Sequence, residues 1–105
     1  MNHLSTHILD TSCGKPVAGV PVRLYRDDRE LSSHVTDADG RCQNLLPAEP
    51  TLNAGVYRIV FEVSEHFPDG FYPEVSVSFK VNDGVPHYHI PLLISPFGYT
   101  TYRGS

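Results

Sequence analysis

The chain has 105 residues, of which 40% are hydrophobic and 19% are charged. This length fits a single domain over residues 1–105 with one modest core, and the composition excludes a disordered or fibrous protein. Acidic residues outnumber basic ones 12 to 8, which gives a net charge of −4. Because nucleic acids and anionic membranes attract basic patches, we expect neither as a partner.

The cysteine content and the absence of long apolar runs indicate the compartment. Two thiols fall short of a disulfide scaffold, so we expect Cys13 and Cys42 to be reduced. No apolar run is long enough for a signal peptide or a membrane span. The sequence therefore predicts a cytoplasmic protein, or a periplasmic one if a leader has been removed.

Apolar residues recur mainly at every second position, which is typical of strands with one buried face. The alternating sets are Leu4, Thr6 and Ile8; Val20, Val22 and Leu24; Val75, Val77 and Phe79; and Tyr88, Ile90, Leu92 and Ile94. Turn-forming segments separate these sets, at residues 12–16, 37–40, 82–84 and 95–98. About seven or eight short strands at this spacing predict an all-β sandwich.

Two segments depart from the alternating pattern. Residues 64–69 predict one short helix, with Ser64 as its N-terminal cap and with Pro68 and Gly70 as its end. Residues 47–53 contain two prolines and predict a loop.

Histidines occur on the outward faces of two predicted strands. The alternation places His7 and His89 opposite the core. Each can be an ordinary solvated residue on the polar face of a sheet. However, Leu9 and Leu93 share these faces, and an outward mixture of histidine and leucine favours a groove or an interface with another subunit.

Arg41 directly follows the turn at residues 37–40, so we expect it at the start of the next strand. A guanidinium fixed there could polarise a carbonyl or hold a carboxylate. The alternative is a surface arginine near the acids of the turn. The strand-like pattern of residues 99–105 predicts an ordered tail that brings Tyr102 and Arg103 near the residues lining that strand.

Four short motifs follow one another along the chain. They are residues 4–10 (LSTHILD), 39–41 (DGR), 87–93 (HYHIPLL) and 102–105 (YRGS). Together they resemble the transthyretin-related 5-hydroxyisourate hydrolase family, over essentially the whole chain. The hormone-carrying transthyretins are similar elsewhere but lack the YRGS ending and both motif histidines.

The resemblance implies a fold, an assembly and a reaction. The fold is a transthyretin-like sandwich of two antiparallel sheets, and the assembly is a homotetramer, a dimer of dimers with its sites in the channel between dimers. The reaction is the hydrolysis of 5-hydroxyisourate to 2-oxo-4-hydroxy-4-carboxy-5-ureidoimidazoline in urate degradation, with no cofactor and no metal.

The resemblance also assigns roles to individual residues. The catalytic positions are His7, Arg41, His89 and Ser105, and the substrate-binding positions are His7, Arg41, Tyr102, Arg103 and Gly104. In this assignment His7 and His89 position and deprotonate a water molecule, for which histidine is suited because its pKa lies near the operating pH. Arg41 would polarise the attacked carbonyl or hold the polar edge of the ring.

Three alternatives stay open from the residues alone. A zinc hydrolase could use His87, His89 and His7 as ligands. A thiol nucleophile could act at Cys42, which stands where similar proteins often have threonine. A small-ligand carrier could hold an apolar ligand in the channel between subunits, although histidine and arginine make a poor lining for such a ligand.

Overall fold

The computed structural model describes residues 3–46 and 53–104. The strands in these residues are β1 (His3–Asp10), β2 (Lys15–Pro16), β3 (Pro21–Arg26), β4 (Arg29–Val35), β5 (Arg41–Cys42), β6 (Gly55–Glu62), β7 (Glu74–Val81), β8 (His87–Ser95) and β9 (Gly98–Thr101). The all-β prediction is confirmed. The described residues form nine strands where seven or eight were predicted, and β2 and β5 have only two residues each. Most of the predicted loop at residues 47–53 lies outside the described residues.

The strands form two sheets. One has the order β2-β1-β8-β9, with β5 also paired to β1, and the other has the order β4-β3-β6-β7. Most pairings are antiparallel, but β1 and β8 run parallel, with His3 beside His87 and Asp10 beside Ile94. The expectation of two wholly antiparallel sheets is therefore wrong at this one pairing. The connection from β1 to β8 is long and includes all four strands of the other sheet, so the chain can return to pair with β1 in the parallel direction.

The core fills the space between the two sheets, and the predicted alternation supplies it. In β1 the fully buried apolar side chains are Leu4 and Ile8, and in β8 Leu92 is buried just as completely. They pack against Phe61 of β6 and Leu24 of β3 in one hydrophobic cluster. Because alternate residues point to opposite faces of a strand, Ser5 and His7 of β1 and His89 of β8 lie on the outward face.

The predicted helix at residues 64–69 is wrong. The segment forms consecutive turns: the Phe67 N–H donates to the Val63 carbonyl at 3.0 Å, and the Gly70 N–H donates to the Phe67 carbonyl at 2.9 Å. Pro68 lacks the N–H that a next helical hydrogen bond needs, so the first helical turn is not continued. Residues 3–46 and 53–104 contain no helix that could cross a membrane.

Candidate functional site

The candidate site lies on the outward face of β1 and β8, defined by the side chains that point away from the core: His3, Ser5, His7 and Leu9 from β1, and His87, His89, Pro91 and Leu93 from β8. The parallel pairing aligns these positions, so that Ser5 lies beside His89 and His7 lies beside Pro91. His7 and His89 are both half-buried. The predicted orientation of the two histidines is therefore confirmed.

Arg41 reaches this face from the short strand β5. The pairing of β5 with β1 sets Arg41 opposite His7. The preceding turn is held by Asp37, whose Oδ1 accepts the Arg41 N–H at 3.0 Å. Gly40 has a φ of 72° and lies so close to β1 that a Cβ atom would stand 2.6 Å from the Ile8 carbonyl oxygen. Glycine thus permits both the turn and the approach that puts Arg41 at the start of its strand, as predicted.

His89 is held on two sides of its ring. Its Nδ1 atom lies 2.8 Å from the Ser5 hydroxyl oxygen. Its Cδ2 atom faces Gly104, where a Cβ atom would come within 2.5 Å. The backbone of Gly104 also donates a hydrogen bond to the His89 carbonyl at 2.7 Å. Neither of these two ring positions is Nε2, and His89 lines the pocket described below.

The environment of His89 favours its neutral form. Burial is the largest cause that lowers the pKa of His89 below the ordinary histidine value, and the positive charge of Arg41 is the second. The charges of His87 and His7 act in the same direction. A neutral imidazole beside a guanidinium can accept a proton near neutral pH while the cation stabilises developing negative charge.

These side chains surround a concave pocket of about 250 Å³. The lining residues are His3, Ser5, Thr6, Arg41, Cys42, Gln43, His87 and His89. Thus Arg41 and His89 share one pocket, whereas His7 lies two residues further along β1 and does not line it. A pocket of this size fits a small polar ring rather than a large apolar ligand.

The tail approaches the site as an ordered segment, as predicted. The hydroxyl of Thr101, the last residue of β9, donates to the Pro91 carbonyl of β8 at 2.8 Å. The chain then continues beside β8 as far as Gly104, which pairs with His89. Gly104 reaches His89, but Tyr102 and Arg103 line a separate pocket of about 290 Å³ between β7 and β8. The Arg103 guanidinium lies over the Tyr88 ring, 5.1 Å from its centroid. Ser105 lies outside the described residues.

Sequence reasoning gave no role to Ser5 and considered His87 only as a possible zinc ligand. The Ser5 hydroxyl lies between His89 and His87, 3.1 Å from His87 Nε2. The ring of His3 lies near that of His87, with centroids 4.8 Å apart and ring planes tilted by 38°. The alternation in β1 places Ser5 on the same outward face as His7, and this pattern could have marked Ser5 as a site residue. Its contact with the two imidazoles depends on the register between β1 and β8, which the pattern does not give.

The alternatives from the sequence find little support in these positions. Cys42 is buried and forms no disulfide with Cys13. Burial, with a smaller contribution from Asp37, raises the pKa of the Cys42 thiol to about 11, which disfavours the nucleophilic thiolate. No group of three His, Cys, Asp or Glu side chains in residues 3–46 and 53–104 is arranged to hold a metal ion.

Comparison with known proteins identifies the family of this chain. The model of the HIUase/Transthyretin family matches residues 4–104. The chain belongs to this family. A 5-hydroxyisourate hydrolase from Mesorhizobium japonicum is 44% identical, over 97% of this chain and 91% of that protein. The structure of Klebsiella pneumoniae 5-hydroxyisourate hydrolase is similar with a TM-score of 0.90 and 40% identity, over 100% of both chains.

A transthyretin structure has the same fold. Sea bream transthyretin, solved in complex with thyroxine, is similar with a TM-score of 0.85 and 32% identity, over 96% of this chain and 93% of that one. The transthyretin-like fold is thus confirmed. Because hydrolases and transthyretins share this fold, the function of this chain has to be argued from the side chains of its site.

Proposed function

We propose that this protein hydrolyses 5-hydroxyisourate in urate degradation, by attack of an activated water on a cyclic amide bond. Relatives over 40% identical across nearly the whole chain are named for this activity. The observation that carries the proposal is the pairing of a neutral, half-buried His89 with Arg41 in one small pocket. A hydrolase needs this combination of base and cation, whereas a carrier does not.

The reaction follows from the positions of these side chains. The Nε2 atom of neutral His89 accepts a proton as the water oxygen bonds to the amide carbon. The carbonyl oxygen gains negative charge, which the Arg41 guanidinium stabilises. His7 lies outside the pocket lining but opposite Arg41 on the neighbouring strand, where we assign it to orienting the water or the ring from the pocket's edge. The proton on His89 then passes to the leaving nitrogen as the ring opens.

The tail and the assembly complete the proposed site. Gly104 lies against the His89 ring, and the resemblance assigns Tyr102, Arg103 and Ser105 contacts with substrate. Within one chain Tyr102 and Arg103 line the separate pocket between β7 and β8, so this assignment requires them to act from a neighbouring subunit. We place the site in a homotetramer, a dimer of dimers, whose channel is lined by the outward face of β1 and β8. Half-buried Leu9 and Leu93 on that face support an interface there. We assign the protein to the cytoplasm, which suits its unpaired cysteines.

The direct test follows the absorbance of freshly generated 5-hydroxyisourate with and without the protein, in the presence of a chelator. We expect accelerated decay, and we expect His89→Asn to reduce turnover by a factor on the order of 100 or more. His34→Asn is the matched control because His34 is exposed on β4 of the other sheet. Undiminished turnover in His89→Asn, or no acceleration by the native protein, would contradict the proposal.

The pH profile gives a second readout. Protonation removes the base, so kcat/KM falls as the pH drops through the pKa of His89. Because burial and Arg41 lower that pKa, the midpoint of the fall should lie below the ordinary histidine value of about 6.5. An acid limb centred well above that value would show that His89 is not the base.

A further inference from the structure

The Ser5 hydroxyl lies between two imidazole rings, in contact with His89 Nδ1 at 2.8 Å and His87 Nε2 at 3.1 Å. Ser5 is itself buried, with 8% of its surface exposed. A hydroxyl carries one proton, so it can donate to only one of the two rings. When both imidazoles are neutral, the other ring must donate to Ser5 for both contacts to be hydrogen bonds.

Two proton arrangements satisfy this condition. In the first, His89 Nδ1–H donates to Ser5 and the Ser5 hydroxyl donates to His87 Nε2. His89 Nε2 then carries a lone pair. In the second, His87 Nε2–H donates to Ser5, the hydroxyl donates to His89 Nδ1, and the proton of His89 sits on Nε2. Only the first arrangement leaves His89 able to accept a proton at Nε2.

Charge in the pocket favours the first arrangement. Arg41 lines the same pocket and acts on His89 electrostatically. A lone pair on Nε2 is attracted by this cation, whereas an N–H group there would be repelled. Turning the ring by 180° would exchange Nδ1 for Cδ2 and lose the contact with the Ser5 hydroxyl.

We infer that Ser5 is a positioning residue that holds His89 in the tautomer protonated at Nδ1, and that His87 completes the arrangement by accepting the Ser5 proton. The role deepens the proposed hydrolysis and rests on it for its catalytic meaning. When His89 Nε2 takes a proton from water, Ser5 still accepts the Nδ1–H. No hydrogen bond has to reorganise during this step.

The titratable and charged groups that act on His89 come from three strands of the described residues. They are His7 of β1, Arg41 of β5 and His87 of β8. Each disfavours the protonated ring. Replacing Ser5 leaves all three in place.

The tautomer can be measured without any substrate. We expect the 15N chemical shifts of histidine side chains in the full-length protein above pH 7 to show His89 protonated at Nδ1 and unprotonated at Nε2. In Ser5→Ala the ring should populate both tautomers. A native His89 protonated at Nε2, or a tautomer unchanged in Ser5→Ala, would overturn the inference. Because this measurement needs no turnover, it tests the tautomer of His89 even if the protein does not hydrolyse 5-hydroxyisourate.

Kinetics then test the catalytic consequence. Ser5→Ala should lower kcat by about 10- to 100-fold, as loss of an orienting partner does in other sites, with a small change in KM. Ser5→Thr keeps the hydroxyl and should restore most of the loss. If Ser5→Ala does not fold, His87 gives the same test: His87→Gln keeps an acceptor and His87→Phe does not. Equal kcat in those two variants would argue against the relay through His87.

Discussion

At the scale of single residues, Asp10 shows how one buried carboxylate joins two parts of the fold. Only 5% of Asp10 is exposed. Its Oδ1 accepts the Ser12 N–H at 2.9 Å, and its Oδ2 lies 2.8 Å from His66 Nε2. The pair connects the end of β1 to the turns after β6. Burial opposes ionisation, but the hydrogen bonds from Ser12 and His66 outweigh it and lower the pKa of Asp10.

Because the pKa of Asp10 is lower in the folded chain than in the unfolded one, ionised Asp10 stabilises the fold above the unfolded value. This stabilisation is lost as the pH falls through the folded pKa. We expect Asp10→Asn to reduce the free energy of unfolding by about 1–3 kcal/mol at pH 7. We also expect the free energy of unfolding of Asp10→Asn to fall less than that of the native protein as the pH drops below about 4, because the variant has no carboxylate to protonate at this position.

Urea unfolding at fixed protein concentration, at pH 7 and at several values between 5 and 3, measures both effects. Asp83→Asn is the control, because Asp83 is exposed in the turn between β7 and β8. Equal stability of Asp10→Asn and the native protein at pH 7 would show that the contacts with Ser12 and His66 contribute nothing net.

At the scale of strands, sequence reasoning predicted orientation but not register. Alternation placed His7 and His89 outward, and the turn at residues 37–40 placed Arg41 at a strand start, because both depend on local geometry. The neighbours of His89 depend on how β1 and β8 align. That alignment is set by packing across the whole core, so the contacts of Ser5 and Gly104 could not be predicted from local patterns.

The bridge between the tail and β8 supplies a prediction at this scale. Gly104 does not have a positive φ, so alanine fits its backbone, but the new Cβ atom would stand 2.5 Å from His89 Cδ2. The imidazole must shift to relieve this contact. We expect Gly104→Ala to lower kcat/KM by about 10- to 100-fold, with a change in the free energy of unfolding below about 1 kcal/mol.

The matched control is Gly98→Ala, at the start of β9. A Cβ atom there meets Ser95 Oγ at 3.9 Å, an ordinary contact. We expect this variant to keep native kinetics. Measured side by side, the two substitutions separate the effect of the His89 contact from a general effect of alanine in the tail. Native kcat/KM in Gly104→Ala would show that the tail does not hold the ring.

At the scale of the whole molecule, one face of the sandwich remains to be explained. Leu9 and Leu93 form a neighbouring pair across β1 and β8, and they point away from the core. Both are half-buried, while Arg41 on the same side is exposed. An apolar pair beside a polar pocket has no role in the core of one chain. In the proposed tetramer the pair packs at the interface, and the pocket opens into the channel.

The assembly can be tested by mass and by one charge substitution. We expect light scattering to give about four times the 11.7 kDa of one chain. Leu93→Lys would bury an unpaired ammonium in the interface, at a cost on the order of several kcal/mol. The variant should therefore dissociate into smaller species and lose activity at the same protein concentration.

Val56→Lys is the control for this substitution, since Val56 is 55% exposed on β6 of the other sheet. It introduces the same charge away from the proposed interface, so both mass and activity should stay native. A native mass equal to that of one chain would refute the tetramer. An unchanged tetramer in Leu93→Lys would instead move the interface away from the outward face of β1 and β8. Loss of activity only when the mass falls would mean that the pocket needs a neighbouring subunit to complete it.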